Sequence, residues 1–232
     1  MQLFYQPDIP GGVYTLDPEE SRHCIKVLRK KVNDTIDIVD GQGTFYKGLI
    51  TQSNPSQTGF EIIEKRKEPT SNYTIHLAVT PTKRSERMEW LVEKITELGI
   101  DRISFIQSQH SERRKLRLDR IRRKAVSAMK QSLRATVPQI DGMIPFGDLF
   151  SLLAPETNKY MAHLSESAKP LSKAATPGSS YCILIGPEGD FSKQELQQAT
   201  ASGFETVTLG TSRLRTETAA IAAVIGLQMV NW

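Results

Sequence analysis

Apolar and polar residues alternate in three short stretches near the N-terminus: DTIDIVD (34–40), GTFYKGLIT (43–51) and TGFEIIEKR (58–66). They are separated by the turn formers Asp40-Gly41 and SNPSQTG. Period-two alternation between turns predicts a small β-rich unit, with one helix over 17–29 interrupting it. The polar, proline-bearing KEPTSN (67–72) reads as a linker, so the chain divides into domains 1–70 and 73–232.

Beyond the linker, strand-like and helix-like segments take turns. YTIHLAVT, a helix over 85–98 ended by Gly99, RISFIQ, a helix over 119–135, QIDGMI, and a short helix at 147–153 come first. KYMAHL, a Ser/Pro/Gly-containing connection, YCILIG, a helix from Ser192, ETVTLG and a last helix to Trp232 follow. This order predicts an α/β domain with a mainly parallel sheet. Helical spacing turns Trp90, Leu91, Ile95 and Leu98 inward in the first of these helices. In the 119–135 helix it does the same for Leu118, Ile121, Ala125, Ala128 or Met129, and Leu133.

A hydrophobic share of 38% over 232 residues supports a full core. No apolar run approaches the roughly 20 residues that span a bilayer, and MQLFYQPDIP lacks a signal pattern, so a cytoplasmic protein is expected. Cys24 and Cys182 have no metal-ligand spacing, which predicts reduced thiols and no metal. The net charge of +4 is unevenly spread: residues 110–124 hold eight Lys/Arg against Glu112 and Asp119. SRHCIKVLRKK (21–31) gathers a second group of cations. Either run taken alone also fits a solvated helix face; two together point to phosphate, hence nucleic acid.

Candidate chemistry concentrates at two turns. YCILIGPEGDFSKQEL (181–196) runs from an apolar strand into Gly186-Pro187-Glu188-Gly189, and Ser192 with Glu195 forms a capping box that fixes where the next helix starts. Glycines at the carboxyl end of a parallel strand let a ligand approach backbone groups. VTLGTSRLRTETAA (207–220) repeats the plan, with Gly210 just past a strand. Neither stretch is a dinucleotide fingerprint or a phosphate loop. A ligand-bearing turn and a plain strand-to-helix turn both fit either motif alone.

GPEG after an apolar strand, then LG, then LRTETA at the last helix, resembles the C-terminal signature of the SPOUT methyltransferases, and more narrowly the RsmE family. RHCIKVLRKKVNDTIDIVDGQG, KRSERMEWLVEKITELGI and KQSLRATVPQI carry the resemblance over nearly the whole chain. The chain departs from the pattern at Asp190, where a second glycine is usual, at SRLR for the commoner Ile-Leu-Arg, and at Gln109-His110, where an arginine is common. The resemblance implies a SPOUT-type domain with a C-terminal trefoil knot, a small N-terminal PUA-like β-barrel that binds RNA, and a homodimer. It also implies S-adenosylmethionine-dependent methylation of uridine N3 in 16S ribosomal RNA, on free RNA or the 30S subunit.

Carried over residue by residue, the resemblance implies a cofactor pocket walled by Leu164, Ile185, Gly186, Pro187, Glu188, Gly189, Leu209 and Gly210. Ser212, Arg213, Leu214, Thr216 and Ala219 complete it. RNA contacts fall on Arg22, His23, Arg29 and Lys30, on Lys83 and Arg84, and on Arg113, Arg114, Arg122, Arg123 and Arg134. Arg215 is a candidate stabiliser of negative charge on the base, and Glu217 a candidate orienter or base; a pair of surface charges at a helix start fits them too. Glu188 suits holding the turn as well as catalysis. His76 reads as a packed core residue, while His163 is open between packing and function. The competing reading is a noncatalytic RNA-binding or ribosome-assembly protein on the same fold.

Overall fold

The computed structural model describes residues 2–165 and 168–232; Glu166 and Ser167, in the expected Ser/Pro/Gly-containing connection, lie outside the described residues. The chain forms two compact units, Met1–Thr70 with Ala125–Val137, and Ser71–Lys124 with Pro138–Trp232.

The first unit is built on a four-stranded sheet in the order β1-β2-β3-β4. β1 (Leu3–Tyr5) runs parallel to β2 (Thr35–Val39), while β3 (Thr44–Gln52) and β4 (Gly59–Lys67) continue it antiparallel. The three alternating stretches thus supply β2 to β4. The expected 17–29 helix is two joined pieces, α1 (Pro18–Arg22) and a π-helical turn over His23–Val27. Asp17 caps α1 by accepting from the Glu20 amide at 2.9 Å, with Pro18 in its first turn. Phe4, Leu16, Ile36, Ile38, Ile50 and Phe60 form the core with the buried thiol Cys24. At the β2–β3 turn Gly41 has φ +77°, and a Cβ there would lie 2.8 Å from the Tyr5 ring.

The second unit carries a seven-stranded sheet in the order β7-β6-β5-β10-β8-β11-β9, every pairing parallel. Its first half is β5 (Thr74–Val79), α2 (Ser85–Leu98), β6 (Arg102–Gln107), α3 (Leu118–Gln131) and β7 (Gln139–Pro145). A 3-10 segment, Phe146–Leu152, leads into β8 (Asn158–Ala162), β9 (Lys169–Pro170) and α4 (Leu171–Ala174). β10 (Ser180–Ile185), α5 (Lys193–Ala201), β11 (Glu205–Thr208) and α6 (Thr216–Val230) complete it. β9 and α4 are too short to leave a periodic trace. α3 passes from the second unit into the first between Lys124 and Ala125.

Two packing expectations are corrected. Trp90 is 46% exposed, because α2 buries Met88, Leu91, Val92 and Ile95 and residue 90 lies on the other side of that stripe. Leu133 is 45% exposed, because α3 ends at Gln131 and Leu133 takes φ +57°. Gly99 ends α2 as expected, at φ 86°, with its amide donating to Ile95 and Thr96 carbonyls.

His76, on β5, is 8% exposed, and its Nε2 lies 2.7 Å from Ser104 Oγ. Ser104 gives its hydroxyl hydrogen to Asp141, which also pairs with Arg102 Nε at 2.8 Å. The serine oxygen therefore accepts, and His76 is the neutral tautomer with the proton on Nε2. Burial first, and the Arg102 charge second, push its pKa down to about 4, against the opposing charge of Asp141. In the unfolded chain the imidazole protonates near 6.5, so the stability from keeping it neutral is complete above that pH and lost as pH falls to about 4. At about 1.4 kcal/mol per pH unit the window holds roughly 3 kcal/mol. His76→Gln should flatten the decline in urea-denaturation stability across this range; an unchanged slope would move the cause elsewhere.

Candidate functional site

The buried strand β10 ends at Ile185, and the chain turns at once through Gly186, Pro187, Glu188, Gly189 and Asp190. The Asp190 amide donates to the Pro187 carbonyl at 3.0 Å, closing a four-residue turn. Asp190 itself sits at φ +63°, a left-handed position where a short polar side chain can replace glycine. Its carboxylate accepts from the Phe191 amide at 2.8 Å and meets His163 Nδ1, at the end of β8, at 2.8 Å. The Ser192–Glu195 capping box then starts α5. Glu195 Oε1 also accepts from the Gln109 amide at 2.7 Å, and His110 Nδ1 lies 2.9 Å from the Asp190 carbonyl oxygen, so the basic loop after β6 rests on this turn. Gly186 stands over the Phe191 ring, where a Cβ would come within 3.0 Å.

The second turn leaves β11. Thr208 Oγ1 accepts from the Gly210 amide at 3.2 Å and donates to its carbonyl at 2.7 Å, with Gly210 at φ +136°. The chain then comes back to the first turn: Arg213 Nη2 donates to the Glu188 carbonyl at 2.9 Å, and Thr216 Oγ1 to the Gly186 carbonyl at 3.1 Å. Two segments about 25 residues apart are tied together at both ends.

Between them lies a cavity of about 330 Å³. Twelve of the thirteen residues read as a pocket from sequence line it: Leu164, Ile185, Gly186, Pro187, Glu188, Leu209, Gly210, Ser212, Arg213, Leu214, Thr216 and Ala219. Gly189 does not; it faces His110, whose Cβ would lie 3.6 Å from an added Cβ. Ala162, His163, Asp190, Val207 and Thr208 also line the cavity and were not among the thirteen. Two of these had left a signal, His163 as a polar residue ending a strand and Asp190 as the residue standing where a glycine is usual. A volume at the low end of ligand sites, apolar walls and glycine-exposed backbone suit one nucleoside-sized molecule.

Arg215 and Glu217 do not line this cavity. They line a separate recess with Arg84, Glu86, Arg87, Trp90 and Thr218. Glu217 is 7% exposed and pairs with Arg87 at 3.4 Å.

The basic residues are distributed over both units. In the first, Arg22 and Arg29 are exposed and His23 half-buried, while Lys30 donates to the Thr35 carbonyl at 3.0 Å and Arg134 lies 4.0 Å from Glu68. In the second, Lys83, Arg84, Arg114, Arg122 and Arg123 are exposed, and Arg113 Nε donates to the Lys83 carbonyl at 3.0 Å. Among the described residues no helix is long and apolar enough to cross a membrane, and no group of three or more His, Cys, Asp or Glu is placed to hold a metal.

Comparison with known proteins gives matches over both parts of the chain. Residues 69–228 match the RNA methyltransferase domain family, and residues 16–57 match the RNA methyltransferase PUA domain. The chain is 31% identical over 205 residues to the ribosomal RNA small subunit methyltransferase E of Mesomycoplasma hyopneumoniae (strain 232), spanning 85% of this chain and 86% of that protein. A crystal structure of a probable rRNA-methyltransferase from Porphyromonas gingivalis superposes with a TM-score of 0.94 at 37% identity, covering 100% of this chain and 98% of that one. A ribosomal RNA small subunit methyltransferase E from Neisseria gonorrhoeae, bound to S-adenosyl methionine, superposes with a TM-score of 0.87 at 30% identity and the same coverage.

Proposed function

Because this chain belongs to the RNA methyltransferase family, in its small-subunit ribosomal RNA methyltransferase E branch, we propose that it methylates N3 of a uridine in 16S ribosomal RNA from S-adenosylmethionine. The observation that carries this reading is the cavity closed by the two tied glycine turns. Leu164, Ile185, Pro187, Leu209 and Leu214 offer apolar walls for an adenine, and the backbone at Gly186 and Gly210 offers polar groups without a Cβ in the way. When bound there, the cofactor supplies an electrophilic methyl group on a sulfonium.

The other half of the chemistry is a proton problem. Uridine N3 is protonated at neutral pH and is a poor nucleophile until that proton is lost. Arg215, exposed at the start of α6, stabilises negative charge on the base in this reading, and each pKa unit of lowering is worth about 1.4 kcal/mol. Of the two roles open to Glu217, the ion pair with Arg87 favours the orienter. Placing N3 in line with the methyl carbon supplies much of the rest.

The same reading makes 1–70 a PUA-like RNA-binding barrel and 73–232 a SPOUT methyltransferase domain with a trefoil knot at its C-terminus. The barrel is supported by a Thr15–Gly59 bridge beyond the four strands. The knot is supported by the path of α6, which leaves the β11 side, passes Gly186 and packs on β10, β5 and α2. A homodimer is supported by an apolar surface recess of about 890 Å³ lined by Leu164, Leu171, Leu209 and Ala222. The protein acts in the cytoplasm, on 16S ribosomal RNA or the 30S subunit.

Mass-spectrometric mapping of 16S ribosomal RNA from cells lacking the protein should find one N3-methyluridine missing, and the purified protein with S-adenosylmethionine should restore it. An intact mark, together with RNA binding and no cofactor binding, would instead leave a noncatalytic RNA-binding protein.

A further inference from the structure

Two helices of the second unit begin at one recess, and both depart from ordinary capping. The N-cap of α2 is Arg84 and that of α6 is Arg215, neither with a side-chain capping hydrogen bond. Asp17 on α1 and Ser192 on α5 cap conventionally, and the short α4, which also lacks a side-chain cap, starts after a proline instead of an arginine. An arginine at this position has no side-chain acceptor to offer the first-turn amides and sets a positive charge at the positive end of the helix dipole. Two such violations facing one space of about 730 Å³ suit an anion that supplies what the caps withhold.

Arg87 adds a third guanidinium, aimed by its ion pair with Glu217. The acids of the recess offset this set only in part, since three guanidiniums face the two carboxylates Glu86 and Glu217. Glu217 is committed to Arg87 through Oε1, and Glu86 accepts from its own backbone amide, the first cause holding its carboxyl below the usual range. Arg113 donates to the Lys83 carbonyl at 3.0 Å, next to Arg84, and Arg120 pairs with Glu89 of α2 at 3.2 Å, which brings the cationic loop and the start of α3 to this end of α2.

Two further features ask for more than a bare phosphate. Trp90, one turn into α2, presents an indole that is 46% exposed beside these arginines. Glu217, 7% exposed, has a second oxygen, Oε2, with no hydrogen-bond partner among the described residues. A planar group with an N–H donor, joined to a phosphate, meets all three demands: face to the indole, N–H to the carboxylate, anion to the guanidiniums.

We propose that this recess is a subsite for one nucleotide of single-stranded RNA, with its base stacked on Trp90 and its phosphate held between Arg84 and Arg87. The inference rests on RNA being the substrate, and it makes Trp90 and Arg87 binding residues that no family correspondence assigned. Glu217 takes part on two sides, accepting the base N–H through Oε2 and aiming Arg87 through Oε1.

Trp90 and Trp232 are the two tryptophans of the chain, so Trp232→Phe leaves Trp90 as the sole indole reporter. Titrating that protein with single-stranded decauridylate should quench its emission saturably, whereas an RNA duplex of the same length should not. Trp90→Ala should weaken decauridylate binding, read by anisotropy of a labelled strand, by about tenfold, with Trp90→Phe restoring most of it. Arg84→Ala and Arg87→Ala should each weaken it and reduce its salt dependence. Decauridylate binding without quenching, or equal quenching by the duplex, overturns the subsite. So does a Trp90→Ala protein that loses a dimer while keeping RNA affinity, which would make this face a contact between copies. Calorimetry with S-adenosylmethionine on the same protein separates the two claims: cofactor binding without quenching removes the subsite alone, and quenching without cofactor binding removes the methyltransferase reading alone.

Discussion

Ala219→Phe should abolish measurable binding of S-adenosylmethionine and, with it, methyl transfer. Ala219 sits in the first turn of α6 and lines the cavity of about 330 Å³ between the two glycine turns. A volume near the lower limit for ligand sites leaves no room for both a nucleoside and a benzyl group. The helix start cannot retreat to make space. Its Ala219 amide donates to the Arg215 carbonyl at 2.8 Å, and Thr216 holds the Gly186 carbonyl at 3.1 Å. Calorimetry should show affinity reduced at least a hundredfold, about 2.7 kcal/mol. The thermal midpoint should stay close to that of the parent, because Ala219 is only half-buried, at the edge of the stripe of Ala220, Ala223, Val224 and Leu227 that α6 buries deepest. Undiminished cofactor affinity in a folded Ala219→Phe protein would place the cofactor outside this cavity.

The sequence made the parts of this site legible and hid how they meet. β10 is readable because Tyr181 to Ile185 are buried on both faces of a central strand and therefore form an unbroken apolar run. The Ser192–Glu195 box is readable because capping is local chemistry, whereas the left-handed backbone at Asp190 showed only as a residue standing where a glycine is usual. The bonds from Arg213 to Glu188 and from Thr216 to Gly186 left no trace, since they join segments that sequence spacing treats as independent. The Arg87–Glu217 pair is further from reach still: a buried carboxylate at a helix start looks the same as one serving the helix dipole. Trp90 was misplaced because α2 fills two inward positions with Glu89 and Thr96, which blurs the apolar stripe by which the face is judged. Glu89 tolerates that position through Arg120, 3.2 Å away.

Removing Lys130 should be among the most damaging single changes in the first unit. Its ammonium donates to Glu20, a carboxylate 8% exposed on α1 and 110 residues away in the chain. Burial raises the Glu20 pKa, and the Lys130 hydrogen bond and charge pull it back down. Lys130→Met therefore leaves a buried carboxylate with its main compensation gone, a change that costs about 3–5 kcal/mol where one partner of a buried pair is deleted. Glu20→Leu with Lys130→Met removes both charges, and replacing such pairs by apolar residues is often close to neutral. Urea denaturation at neutral pH should place the double variant well above the single one. A second signature follows from linkage. With Lys130 gone the folded-state pKa of Glu20 rises further above its unfolded value, so the native state takes up a proton first and the Lys130→Met protein regains stability as pH falls through the acid range. Equal losses in the single and double variants, with no such recovery, would assign the stability to the packed stem of Lys130 instead of its charge.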